Sequence, residues 1–324
     1  MFLFFEELVT IMKYLLTIIL TMLFTATAIL VPAAWAVGSF FVDFTLKTSN
    51  GAPPTAYKLI MGKPTNPPDK PEMENEEWRI TSDDGISLAA THFSPEEESH
   101  RWAILVHGYG RTRKDTWNYA ADYLAHGYEV LTPDLRAAGK SGGEYITMGA
   151  KESDDIVAWA RRIRQDDPEA KIVLHGVSMG GATVLLASAK ENLPESVTAI
   201  IEDCSYASAE QLFTVKLESA LHLPPAPILA DMDFAAKRKT GIGLDDMEPL
   251  AAVPKSKAPT LFIHGDADNL APLSMMKQLY DASNAPEKEQ FVVPGAIHAA
   301  ARSVDPDAYA KRILAFADRY TESD

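Results

Sequence analysis

The chain has 324 residues, 47% of them hydrophobic, with a formal net charge of −15. That length allows one large α/β domain with appendages, or two modest domains, and the apolar content is enough to bury a core. The negative charge opposes non-specific binding to nucleic acid or to anionic membrane surfaces, and the single cysteine, Cys204, excludes an intramolecular disulfide, a CxxC redox pair and any multi-cysteine zinc site.

From Tyr14 to Val42 no charged residue occurs. This run exceeds the roughly 20 residues needed to cross a bilayer core. Lys13 on its N-terminal flank favours an N-inside orientation, with the bulk of the chain extracytoplasmic. The expectation is a membrane anchor over residues 1–47. A start at Met12 would instead make the run a cleaved secretory signal, with Ala34-Trp35-Ala36 as an acceptable cleavage site. Continuation through Phe40-Phe41-Val42 favours the retained anchor. Pro32 and the sheer length argue against a buried core helix. Residues 48–77 read as a linker, broken by Pro53, Pro54, Pro64, Pro67, Pro68 and Pro71 and closed by an acidic run from Glu72 to Glu77.

Beyond Trp78 short apolar runs alternate with longer amphipathic stretches. Trp78–Thr81 and Ile86–Phe93 flank Asp83-Asp84-Gly85, a hairpin signal. Strands are then expected at Ala103–Val106, Glu129–Thr132, Ile172–Gly176, Ala199–Glu202, Thr260–His264 and Gln290–Val293. Helices are expected at Thr116–His126, Lys151–Arg164, Met179–Lys190 and Pro306–Tyr320. Such alternation implies βαβ units and a mainly parallel sheet. The connection from Asp203 to Thr260 is far longer than an ordinary crossover. Ser208 and Gln211 open a helix there to about Leu223, Pro224-Pro225 breaks it, and a second runs from Pro227 to Lys239. This insertion, about residues 205–255, reads as a small helical cap on one domain spanning 78–324.

Gly176-Val177-Ser178-Met179-Gly180 fits G-x-S-x-G between a buried strand and a helix, the context of a nucleophile elbow. A serine hydroxyl needs a neighbouring base to take its proton. His298, after the last strand, would be that base. Asp268, in His264-Gly-Asp-Ala-Asp268, would orient the imidazole. Asp266 competes for the acid role, and Asp203 stands third. The oxyanion needs two backbone donors. Met179 N–H would supply one. Tyr109 N–H, in His107-Gly-Tyr-Gly110, would supply the other, with its side chain facing the pocket.

The ordered set His107-Gly-Tyr-Gly110, Asp134-Leu-Arg-Ala-Ala-Gly-Lys-Ser141, Gly176-Val-Ser-Met-Gly180, His264-Gly-Asp-Ala-Asp268 and His298 resembles the α/β-hydrolase superfamily. The nearest branches are similar to serine-aminopeptidase-like and monoglyceride-lipase-like hydrolases. The resemblance spans about Trp78 to Tyr320 and implies an eight-stranded, mostly parallel sheet and no cofactor. Ala137-Ala138 departs from it, since many relatives carry a glycine there.

Gly139-Lys140-Ser141 invites a P-loop reading, but Asp134 stands where that motif needs glycine and would repel phosphate. Gly108-Tyr-Gly110 fails as a dinucleotide fingerprint because Arg113 occupies the third glycine position. Asp134 and Arg136 are expected to form a structural turn, and His107, His175 and His264 to be packed loop histidines. No compact metal-ligand spacing occurs. Cys204 reads as a small buried hydrophobe. The first reading is thus a carboxylic-ester serine hydrolase, of esterase or lipase type, outside the cytoplasm. A peptidase or amidase on the same triad is the alternative within enzymes. A membrane-tethered binding protein without catalysis is the alternative outside them. The expected partners are a small ester or peptide substrate and, through the N-terminal segment, a membrane; no nucleic acid is expected. No feature of the sequence fixes an oligomeric state.

Overall fold

The hairpin turn at Asp83-Asp84-Gly85 joins β1 (Asn75–Thr81) to β2 (Ser87–Phe93), paired antiparallel with Trp78 opposite Ala90. The apolar runs that follow form β3 (Arg101–Val106), β4 (Glu129–Pro133), β5 (Lys171–Val177), β6 (Val197–Asp203), β7 (Thr260–Gly265) and β8 (Lys288–Val293). They make one sheet in the order β1-β2-β4-β3-β5-β6-β7-β8. β2 meets β4 antiparallel, and every pairing from β4 to β8 is parallel. The computed structural model describes residues 2–49, 51–62 and 66–322, and of residues 2–9 the backbone alone; Pro64 of the linker lies outside the described residues.

Helices α1 (Phe2–Leu46) and α2 (Tyr57–Met61) precede the sheet. α3 (Trp117–Leu124), α4 (Ala150–Asp166) and α5 (Met179–Ser188) connect its central strands. The long connection from β6 to β7 carries α6 (Ala209–Leu221), α7 (Pro225–Thr240) and the single turn α8 (Pro249–Ala252). The Ser208 side chain accepts from Gln211 N–H at 3.1 Å and caps α6, while the Gln211 side chain donates to Gln278 rather than closing a capping box. α9 (Leu273–Ala282), α10 (Ala301–Val304) and α11 (Pro306–Thr321) complete the chain.

Alternation along the central strands divides the core between two faces. Ile104, Val106, Leu174 and Ile200 turn toward α4, with its Trp159 and Ile163. Ala103, Leu105, Val173 and Ile201 turn toward Tyr123 of α3 and Tyr309, Ile313 and Phe316 of α11. The sheet is therefore covered on both sides, as parallel sheets require.

α1 has two parts. Residues 10–33 are exposed throughout, about 36 Å of helix at ~1.5 Å per residue. Val42 and Leu46 are fully buried. A Cβ on Gly38 would lie 1.9 Å from the Asp231 carbonyl oxygen, so glycine lets the backbones of α1 and α7 touch. Around that contact the Trp35 and Phe234 rings meet edge-on at 6.1 Å, and Lys239 pairs with Asp43 at 2.6 Å. By length and composition α1 is compatible with a membrane anchor or a signal sequence. The stretch after it packs on the body as well: Ala56 and Tyr57 are buried, and α2 reaches the candidate site described next.

Candidate active site

At the end of β5 the chain must reverse into α5 within one residue. Close approaches fix the flanking glycines: a Cβ on Gly176 would meet Gly180 O at 2.1 Å, and one on Gly180 would meet Val106 O at 2.0 Å. Ser178 at the apex takes φ 58° and ψ −119°, a conformation costly for a non-glycine residue. It is held by its own N–H donating to Asp203 O at 2.7 Å.

Ser178 Oγ lies 2.8 Å from His298 Nε2, and His298 Nδ1 lies 2.7 Å from Asp268 Oδ2. With the Nδ1 proton on the carboxylate side, Nε2 is left free to accept from the serine hydroxyl. The other oxygen of Asp268 accepts from Leu270 N–H at 2.8 Å and Ala271 N–H at 2.9 Å. Burial alone would raise the Asp268 pKa, but hydrogen bonds from His264 and His298 hold the carboxyl well below its usual range. The group therefore stays ionised.

The competing acids point elsewhere. Asp266 accepts from Gly295 N–H at 2.6 Å, and Asp203 accepts from the Tyr309 hydroxyl at 2.8 Å. His264 donates to Ala271 O at 2.7 Å and sits 3.5 Å from Asp268 Oδ2, the oxygen that His298 also engages.

Met179 opens α5, so its N–H has no partner within the helix. The His107–Gly110 loop passes against the serine: a Cβ on Gly108 would lie 3.3 Å from Ser178 Cβ. Tyr109 follows, lines the pocket, and donates its hydroxyl to Thr45 O at 2.5 Å, in the last turn of α1. His107 shapes this loop. It donates to Gly108 O at 2.9 Å and accepts from Leu135 N–H at 3.0 Å, and burial lowers its pKa so that it stays neutral.

Asp134 accepts from the N–H groups of Arg113 at 2.8 Å and Lys140 at 2.9 Å. Those donors are committed to a carboxylate, so the Gly139-Lys140-Ser141 turn has no phosphate cradle. Arg136 bridges Asp155 and Asp84, at 2.7 and 2.8 Å, tying the loop to α4 and to the β1–β2 turn. Ala137 takes φ 60°, in the left-handed region. Cys204 lies within 4.8 Å of ligand atoms of Asp268 and His298. Burial raises its thiol pKa well above the usual value, and a metal there would have to displace the His298–Asp268 hydrogen bond.

The pocket in front of Ser178 is a narrow apolar cleft, partly open to solvent. Its walls come from α2 (Ile60, Met61), α6 (Leu212, Phe213, Lys216) and the loops carrying Tyr109 and Leu270. The sequence reading did not single out Ile60, Met61 or Lys216. The run Tyr57-Lys-Leu-Ile-Met61, apolar amid prolines, was the available signal.

A model of the α/β hydrolase fold matches residues 103–242. With the sheet order above, that match gives the chain the α/β-hydrolase fold. Among similar proteins, the uncharacterised protein YqkD of Bacillus subtilis is 28% identical over 78% of this chain and 82% of its own length. The monoglyceride lipase of Mus musculus is 25% identical over 68% of this chain and 82% of its own length. In structure, the esterase Pf2001 of Pyrococcus furiosus matches with a TM-score of 0.65 at 22% identity, over 85% of this chain and all of that one, a likeness of fold.

Proposed function

We propose that this chain is a serine hydrolase that cleaves a carboxylic ester through an acyl-enzyme on Ser178. The observation that carries the reading is the continuous pair of hydrogen bonds, Ser178 to His298 at 2.8 Å and His298 to Asp268 at 2.7 Å. His298 Nε2 takes the hydroxyl proton as Ser178 Oγ attacks the ester carbonyl carbon. The oxyanion accepts from Tyr109 N–H and Met179 N–H. Collapse breaks the bond to the alcohol oxygen, which leaves with the proton from His298. A water, deprotonated by the same nitrogen, then attacks the acyl carbon, releases the acid and restores Ser178.

An ester is favoured over a peptide by the pocket walls. Apart from the triad residues, Lys216 is the one charged side chain lining the pocket among the described residues, and a cation there repels a substrate ammonium. The names of two matched proteins, a monoglyceride lipase and an esterase, accord with this preference. A fluorophosphonate probe is expected to label the intact protein on Ser178 and to leave Ser178→Ala unlabelled. Equal labelling of both would overturn the reading.

The chain further divides, in this reading, into an anchor over 1–47, a linker over 48–77 and a catalytic domain over 78–324 whose cap is the 205–255 insertion. Lys13 before the apolar run supports placing the catalytic domain outside the cytoplasm. Protease added to intact cells should then degrade the domain; protection until the cells are lysed would reverse the orientation.

A further inference from the structure

Half-buried lysines in this chain are paired, with one exception. Lys151 meets Asp84 at 3.5 Å, Lys190 meets Asp154 at 2.7 Å and Lys239 meets Asp43 at 2.6 Å. Lys288 donates to the carbonyl oxygens of Tyr280 and Ser283, at 2.8 and 2.9 Å. Among the half-buried lysines of the described residues, Lys216 alone has neither a hydrogen bond nor an ion pair. The chain carries 45 acidic residues against 30 basic ones, so carboxylates are plentiful, yet none reaches this ammonium.

Its place on α6 accounts for the isolation. Leu212 and Phe213, one turn earlier, share its face, and all three line the Ser178 cleft. One turn later come Ser219 and Ala220, again uncharged. The ionised Asp268 attracts Lys216 through space, but both oxygens of that carboxylate are engaged, one by His298 and the other by Leu270 and Ala271 N–H. Burial lowers the Lys216 pKa in spite of that attraction, so the ammonium has lost water without gaining a partner. A ligand that brings the opposite charge offsets such a loss. A carboxylate suits this place better than a phosphate. Phosphates are held by arginine forks or by runs of backbone N–H, whereas the cleft offers Lys216 as a point charge between apolar walls.

We propose that Lys216 is a specificity residue that pairs with a carboxylate on the substrate, so that the preferred ester carries a negative charge within reach of α6. This inference rests on the serine-hydrolase reading above and names the substrate class of the same site. The ester carbonyl sits at Ser178, the carboxylate turns toward Lys216, and the uncharged atoms between them lie against Leu212 and Phe213.

Two pairs of esters test this and locate the charge. On the acyl side, mono-4-nitrophenyl adipate is compared with 4-nitrophenyl hexanoate. On the alcohol side, 4-acetoxybenzoate is compared with methyl 4-acetoxybenzoate. The readout is the anionic-to-neutral ratio of kcat/KM for the full-length chain, in which any loss of folded enzyme cancels. The wild type is expected to favour the anionic ester in at least one pair. Lys216→Met keeps the apolar stem and should lower that ratio by roughly tenfold or more, chiefly through KM. Lys216→Arg keeps the charge and should retain the preference. An unchanged ratio in both pairs for Lys216→Met, with the esters still hydrolysed, would overturn the inference alone and leave Lys216 a solvated cover on α6. No Ser178-dependent turnover of any of these esters would overturn the hydrolase reading, and this inference with it.

Discussion

Asp268 and Asp266 stand two positions apart after the same strand, and single substitutions separate their roles. Asp268→Asn removes the carboxylate that holds the His298 tautomer and is expected to lower kcat by about 10⁴-fold. Asp266→Asn disturbs a hydrogen bond to Gly295 N–H and should lower it less than about tenfold. Steady-state kinetics with a short ester compare the two, and similar losses would contradict the assignment. Glu202 poses a different problem. It is wholly buried beside His264, and desolvation pushes its pKa up to about 8 from 4.5. Between those values the folded state holds a proton that the unfolded chain releases. Stability from this group is thus full at low pH and is lost as pH rises through about 8, with a slope of up to about 1.4 kcal/mol per pH unit. Glu202→Gln should flatten the fall of Tm over that range. Ala137, at φ 60°, carries a β-carbon where none is favoured, so Ala137→Gly should stabilise by roughly 0.5–1 kcal/mol in a denaturant titration.

Among the elements, α1 behaves unlike a simple tether. Its closest approach is at Gly38, where a Cβ would lie 1.9 Å from Asp231 O. Gly38→Leu must push α1 off α7, and with it the Thr45 carbonyl that receives the Tyr109 hydroxyl at 2.5 Å. The expected result is a stability loss of about 1–3 kcal/mol, together with lower kcat/KM as the Tyr109 loop loses its support. Thermal denaturation and ester kinetics on the same preparation test this; normal values in both would show that α1 does not brace the loop. Elements with strong periodic or turn signals were legible in the sequence: the β1–β2 hairpin, the buried strands and the Ser208 cap of α6. Four helices were not: α2, α9 and the single turns α8 and α10. α2 spans Tyr57–Met61, too short for a period to show among prolines, and packing of Tyr57 against the body sets it. α9 follows Pro272 directly, and the proline-marked loop masked its start.

For the molecule as a whole, the boundary between exposed and packed helix predicts how truncation acts. Removing residues 1–33 deletes only exposed helix among the described side chains, and should yield a detergent-free soluble domain with little change in Tm. Removing residues 1–47 also strips Val42 and Leu46, both fully buried, from the core. Burial of two such side chains contributes about 3–6 kcal/mol, so the shorter chain should melt well below the longer one. Equal melting temperatures would mean that the end of α1 adds nothing to the fold. A cut after Ala36 falls between these limits and would leave the packed turns in place.

The candidate chemistry was written locally. G-x-S-x-G between strand and helix, an aspartate after β7 and a histidine after β8 are strand-end positions, and a parallel sheet brings all its C-terminal strand ends to one edge. Order along the chain was therefore enough to propose Ser178, Asp268 and His298 together. The separate partners of Asp266 and Asp268, the conformation of Ala137 and the wall built by Ile60 and Met61 depend on distances between segments far apart in sequence. No local pattern encodes those distances. They follow from how the cap, the N-terminal helix and the sheet pack, and only the tertiary structure decides them.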